Sequence, residues 1–206
     1  HKPGSHPGIS SFKRFYLKHF PPEWQELYQL LLSLCMAIGV VPDSTRLIPL
    51  FALGKPDGGT RFIAFLEEFL KQIDTCVQHD INAARYENMD ENFLSPHNAA
   101  YRRGCGTQSV LPVVWAAVDS ACRNNTDIFL TNYDLLKFFD TIIWPLVESI
   151  LRLMHCPEPI LRLLAEIAAG TAHAVITPYG LSDWYLRHHG GPQGRPTLCI
   201  VALAIL

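Results

Sequence analysis

Asp134 and Asp140 stand six residues apart in YDLLKFFDT, residues 133–141, with Phe138 and Phe139 just before the second acid. The preceding DIFLTNY, 127–133, reads as a buried strand with Asp134 at its carboxyl end. An ionised carboxylate there is costly unless something offsets it, and a divalent cation is the commonest compensation. In metal-assisted phosphoryl or nucleotidyl transfer, carboxylates hold Mg²⁺, which orients the attacking hydroxyl and neutralises charge on the phosphate and leaving oxygens. Plainer roles suit the same residues. Asp134 and Asp140 can cap a strand end and a helix start by accepting backbone N–H bonds. At least one of Phe138 and Phe139 belongs in the core.

Lys55 and Arg61 flank the turn Pro56-Asp57-Gly58-Gly59. Ammonium and guanidinium groups suit phosphate oxygens, although exposed cations beside a turn need no ligand. Arg102 and Arg103, beside Gly104 and Gly106, equally suit a phosphate contact or a solvated loop. The nine histidines show no metal-ligand spacing, so no zinc site is expected. No Ser-His-Asp or Cys-His arrangement is legible from spacing, and Cys105 beside two arginines is a weak thiolate candidate.

The elements that must position these groups follow from periodicity. Leu27, Tyr28, Leu31, Leu34, Cys35 and Ile38 recur at helical steps before Gly39, which predicts an amphipathic helix with a glycine stop. Residues 46–53 and 60–65 read as two strands of a hairpin, because proline presets the first φ of the turn and glycines accept positive φ. Leu66 to Ala84 reads as a long helix, and 88–106 as a loop. Thr107 caps a third helix whose buried side holds Val110, Leu111, Val114, Val118 and Ala121. Helices are expected over 145–154 and 157–169, then short strands over 173–177 and 184–188. GGPQG, 190–194, breaks the chain before a last apolar stretch. The class is α+β.

With 49% hydrophobic and 17% charged residues the chain has ordinary globular composition, enough for a real core. Its longest apolar runs, such as Leu198 to Leu206, fall short of the roughly 20 residues of a membrane helix, so no membrane span is expected. Six scattered cysteines without CxxC pairs indicate a reducing intracellular compartment, nucleus or organelle. Residues 1–22 carry Lys2, Lys13, Arg14 and Lys18 and no acid, as a solvated tail or an organelle-targeting remnant would. The remainder keeps 13 of the 17 basic residues against all 19 acidic ones, which weighs against casual nucleic-acid binding.

Four stretches together carry a resemblance. Asp134, Phe139 and Asp140 look like the first palm motif of reverse transcriptases, D-x-x-x-x-[FY]-D, and Gly190, Pro192, Gln193 and Gly194 look like the second, G-x-P-Q-G. KPDGGTRFI, 55–63, is similar to their fingers hairpin, and HNAAYRRGCGTQ, 97–108, to the loop joining fingers and palm in non-LTR retroelement and group II intron-like enzymes. The resemblance implies a right-hand polymerase portion: a basic tail over 1–22, a fingers-like region over 23–126 and a partial palm over 127–206. It implies RNA-templated DNA synthesis, with Asp134 as catalytic residue and metal ligand and the Leu135 carbonyl completing a Mg²⁺ shell. Phe139 would exclude a 2′-hydroxyl, Lys55 and Arg61 would meet the triphosphate, and Gln193 and Gly194 would meet the template and paired base. Partners would be an RNA/DNA template-primer and a deoxynucleoside triphosphate.

The sequence also departs from that pattern. No Asp or Glu follows Asp183, so the downstream Asp-Asp hairpin that completes a two-metal site is missing, as is the thumb. Arg195-Pro196-Thr197 follows the second motif where small residues and Ser-Pro are usual, Gly191 and His189 replace apolar and arginine residues, and Phe62 replaces a proline. These departures favour an alternative: a catalytically inactive, reverse-transcriptase-derived scaffold holding protein partners in a larger assembly. The catalytic reading requires Asp134, the cationic hairpin and Gln193 to share one cleft.

Overall fold

The computed structural model of the protein describes residues 8–88, 106–135, 137–191 and 195–205. Helices and a small mixed sheet form an α+β fold, as the periodicities require. A one-turn helix α1 (Arg14–Leu17) precedes α2 (Pro22–Ile38), which starts with proline at its first position and stops at Gly39, φ +73°. Strands β1 (Leu47–Gly54) and β2 (Thr60–Ala64) make the expected hairpin. Then come α3 (Glu68–Asn88), α4 (Thr107–Asn124), α5 (Trp144–Leu153) and α6 (Glu158–Gly170). Strands β3 (Ala172–Thr177), β4 (Gly180–Leu181) and β5 (Tyr185–Leu186) return to the sheet, and α7 (Pro196–Ile205) follows.

The sheet order is β2-β1-β3-β4, with β5 also on β3. β1 pairs with β2 antiparallel and with β3 parallel, Leu47 opposite Ala172 and Ile48 opposite His173. β1 therefore lies in the sheet interior, and Ile48 and Leu50 are buried in one core with Leu70 and Ile73 of α3, Leu151 of α5, Leu163 and Ile167 of α6, and Leu198 of α7. A buried polar knot crosses that core. Arg195 Nε and Nη2 donate to the two carboxylate oxygens of Asp74 at 2.9 and 2.8 Å, and the Thr197 hydroxyl donates to Asp74 Oδ1 at 3.1 Å. It ties the start of α7 to α3 with a bidentate, charge-assisted pair, and so gives a structural reason for Arg195 and Thr197 at these positions.

Three expectations need correction. Residues 126–135 form neither strand nor helix, because a strand needs a ladder partner and the strands among the described residues all come from 47–64 and 172–186. Phe129 is 91% and Tyr133 86% exposed, so DIFLTNY is not a buried strand. On α4 only Ala121 is buried, while Val110 and Leu111 are exposed along with Val113 and Trp115. The apolar stripe is present, with Val114 and Val118 half-buried and its first turn, Val110 and Leu111, left uncovered by the described residues. Thr107 lies inside α4 rather than capping it; Gly106 is the cap, and its N–H donates to the Ser109 hydroxyl at 3.2 Å.

The basic arm is anchored at Gly8 and Ser10, while Lys13, Arg14 and Lys18 along it are exposed. The Ser10 N–H donates to Glu67 Oε1 at 2.8 Å, its hydroxyl donates to the other oxygen, and Gly8 is buried against that side chain. Among the described residues no helix is long and apolar enough to cross a membrane.

Candidate functional site

The two acids of YDLLKFFDT occupy different surroundings. Asp134 is exposed in the unpaired segment 126–135, and Leu135 beside it is exposed as well. Water solvates this carboxylate, so the burial cost that makes a cation necessary at a strand end does not arise here. Lys137 then turns the chain through the left-handed region, φ +51°, and Phe138–Asp140 wind a 3₁₀ turn. Thr141 closes it, its N–H and hydroxyl both donating to the Phe138 carbonyl at 3.1 and 3.0 Å. Phe138 and Phe139 meet edge to face with centroids 5.4 Å apart, and both are half-buried against the core. Core packing thus engages both rings, Phe139 included.

Residues from the second motif dock onto this turn. Gly190 N–H donates to the Ile142 carbonyl at 2.7 Å and Gly191 N–H to the Phe139 carbonyl at 2.8 Å. Trp144, in the first turn of α5, donates its indole N–H to the Gly190 carbonyl at 2.8 Å. Gly190 has φ +75°, and a Cβ there would lie 2.7 Å from the Phe139 and Asp140 carbonyl oxygens. Only glycine permits this approach. Arg187, one residue past β5, closes the joint with a 2.9 Å bond from Nη2 to Asp140 Oδ1. Spacing gave no signal for Trp144 or Arg187, because their partners lie 46 and 47 residues away. Gln193 and Gly194 lie outside the described residues, as do Arg102, Arg103 and Cys105.

The cationic hairpin forms as expected. Lys55 N–H donates to the Gly59 carbonyl at 2.7 Å, Gly58 takes φ +81°, and Asp57 Oδ1 accepts the Gly59 N–H at 3.1 Å. Lys55 and Arg61 are exposed and line an open cup of about 460 Å³ with Leu53, Pro56 and Asp57. Neither makes an ion pair among the described residues, which leaves both for an anion.

Strand register sets the distance between these groups. Leu47 and Leu186 both pair with Ala172, so Arg187 leaves the sheet near the start of β1, while Lys55 follows its end. Eight residues of strand span roughly 25 Å. The structure thus joins Asp140, Phe139, Gly190 and Gly191 and sets Lys55 and Arg61 toward the other end of the sheet. No hydrogen bond or ion pair among the described residues links Asp134 to either group.

His173 on β3 is 1% exposed and both ring nitrogens lack a hydrogen-bond partner. Burial, and then the charges of Arg187 and Arg195, push its pKa down to about 4, which keeps the imidazole neutral. Among the described residues no cluster of three His, Cys, Asp or Glu side chains is placed to hold a metal. The Asp134 carboxylate and Leu135 carbonyl are donors of the kind Mg²⁺ takes, since it binds through one or two carboxylates and keeps waters or phosphate oxygens for the rest. Compared with known proteins, the chain matches no protein-family model, and no curated protein matches it.

Proposed function

We propose that the chain is a reverse-transcriptase-like domain, with fingers-like and palm-like regions, built for RNA-templated DNA synthesis by two-metal nucleotidyl transfer. The observation that carries this reading is the joint just described. The Gly191 N–H bonds the Phe139 carbonyl and so joins the two stretches that resemble the palm motifs, and three flanking contacts, Gly190 to Ile142, Trp144 to Gly190 and Arg187 to Asp140, hold them together. Lys55 and Arg61, exposed and without an ion pair among the described residues, offer a phosphate-binding surface on the hairpin that resembles the fingers; they lie toward the other end of the sheet from the joint, so this reading requires the two surfaces to close on one substrate. In this reading Asp134 and the carbonyl of Leu135 would ligate Mg²⁺, which when bound supplies Lewis acidity at the phosphate. Asp134 is solvent-accessible and able to take that role, Phe139 would exclude a 2′-hydroxyl, and Gln193 with Gly194 would meet the template and paired base.

A second reading rests on a different observation. Leu27, Leu30 and Leu34 of α2, and Leu111 and Trp115 of α4, are exposed on two helix faces that the described residues leave uncovered. A reverse-transcriptase-derived scaffold would bury such faces against protein partners. Binding of an RNA–DNA primer-template to the chain as salt is raised separates the two. The enzymatic reading expects affinity that falls log-linearly with salt and weakens in Lys55→Ala/Arg61→Ala, because phosphate contacts release counterions. No binding at low salt would leave the scaffold.

A further inference from the structure

The described residues enclose a second cleft, of about 420 Å³, between α5, α6 and β5. Leu151, Leu161, Leu164 and Ala168 give it apolar walls, and Trp144 and Arg187 stand at its rim. Its size and its mix of an apolar floor with few polar groups are those of a small-molecule site. The one acid that lines it, Glu148, is already engaged by Arg152 at 2.9 Å. Arg187 gives only Nη2 to Asp140, and a guanidinium has five N–H donors, so a second anion can be held from the cleft side. Its neighbour His188 also lines the cleft and adds no negative charge.

We propose that this cleft binds an anion with an apolar body, of the medium-chain alkyl or aryl carboxylate class, and that occupancy tightens the joint between the 138–142 turn and Gly190–Gly191. The two rim residues are also the side chains that hold the joint. Trp144 grips the Gly190 carbonyl and Arg187 grips Asp140. A ligand whose carboxylate meets Arg187 and whose body meets Trp144 favours the arrangement in which both side chains face the cleft. It therefore adds its own contact free energy to the arrangement described here and to none in which either side chain has left the cleft. Nothing in this proposal depends on nucleotidyl transfer, so its test and the primer-template test fail independently.

The test displaces 1-anilinonaphthalene-8-sulfonate from the full chain with octanoate or octanol and follows amide exchange at Gly190 and Gly191. Octanoate is expected to displace the dye and slow exchange of both amides severalfold. Arg187→Met is expected to weaken octanoate about tenfold, the value of one charge-assisted bond, and to leave octanol unchanged. Ala168→Trp, which fills the cleft, abolishes displacement by both; where it unfolds the chain by circular dichroism, Ala165→Trp on the same wall carries the test. The proposal is overturned if octanoate displaces no dye, or if displacement survives in the filled cleft. It is also overturned if Arg187→Met weakens octanol as much as octanoate, or if bound octanoate leaves the exchange of both amides unchanged.

Discussion

Two aspartate–arginine pairs fasten distant parts of this chain together, and they do so under opposite conditions. Asp74 and Arg195 are 0% and 1% exposed at their side chains, bidentate and supported by Thr197, whereas the Asp140 side chain is 49% exposed and takes one bond from Arg187. Breaking one partner of a buried pair leaves an uncompensated charge in the core, while an exposed pair is screened by water and salt. The buried pair therefore belongs to the fold, fixing α7 on α3. The exposed pair belongs to the joint, where the hydrogen bonds of Gly190, Gly191 and Trp144 carry most of the constraint.

The sharpest way to break this comparison is at the buried pair. Asp74→Leu or Arg195→Met alone is expected to cost about 3–5 kcal/mol in urea unfolding, and the double variant to recover much of it, because removing both charges removes the unpaired one. His173 lies near both arginines and titrates against them. Its folded-state pKa is depressed to about 4 from 6.5, so as pH falls the unfolded chain takes up the proton first. Stability from this group is intact above about pH 6.5, is lost between about pH 6.5 and 4 by on the order of 3 kcal/mol, and changes no further below. His173→Leu should flatten that part of the pH profile, since neither ring nitrogen has a partner to lose.

Gly190→Ala comes next. The positive φ and the 2.7 Å approach to two carbonyl oxygens predict a loss of about 2 kcal/mol, seen in thermal unfolding together with faster amide exchange at Gly191. The smallest effect is expected at the exposed pair. Asp140→Asn should cost no more than about 1 kcal/mol, and less still as salt is raised.

What the sequence makes legible is what short-range chemistry decides. The Pro-Asp-Gly-Gly turn carries its own φ requirements, so the hairpin from Leu47 to Ala64 forms where proline and glycine put it. Helices with proline at the start or glycine at the end, α2 above all, are equally readable. The segment 127–133 is the opposite case: its β-branched and aromatic residues state a preference, but a strand exists only with a partner, and no strand among the described residues pairs with it. The α4 stripe shows the same limit, since periodicity says which face is apolar and not what covers it. Asp74–Arg195, Trp144–Gly190 and Asp140–Arg187 join residues 46 to 121 positions apart, and no local pattern announces them. Of the candidate site, Asp134–Asp140 and the glycine-flanked stretch from Gly190 are legible as chemistry-bearing; the turn at 138–142 and the docking of Gly190 and Gly191 onto it are not.

The central claim is that Asp134 and the exposed cations of the hairpin serve a nucleotide and its metal. Calorimetric titration of a deoxynucleoside triphosphate into the chain, with and without Mg²⁺, tests it most directly. The account predicts Mg²⁺-dependent binding that weakens about tenfold in Lys55→Ala through loss of a charge-assisted contact and loses its Mg²⁺ dependence in Asp134→Asn. Binding indifferent to Mg²⁺, or unchanged in Asp134→Asn, would contradict it.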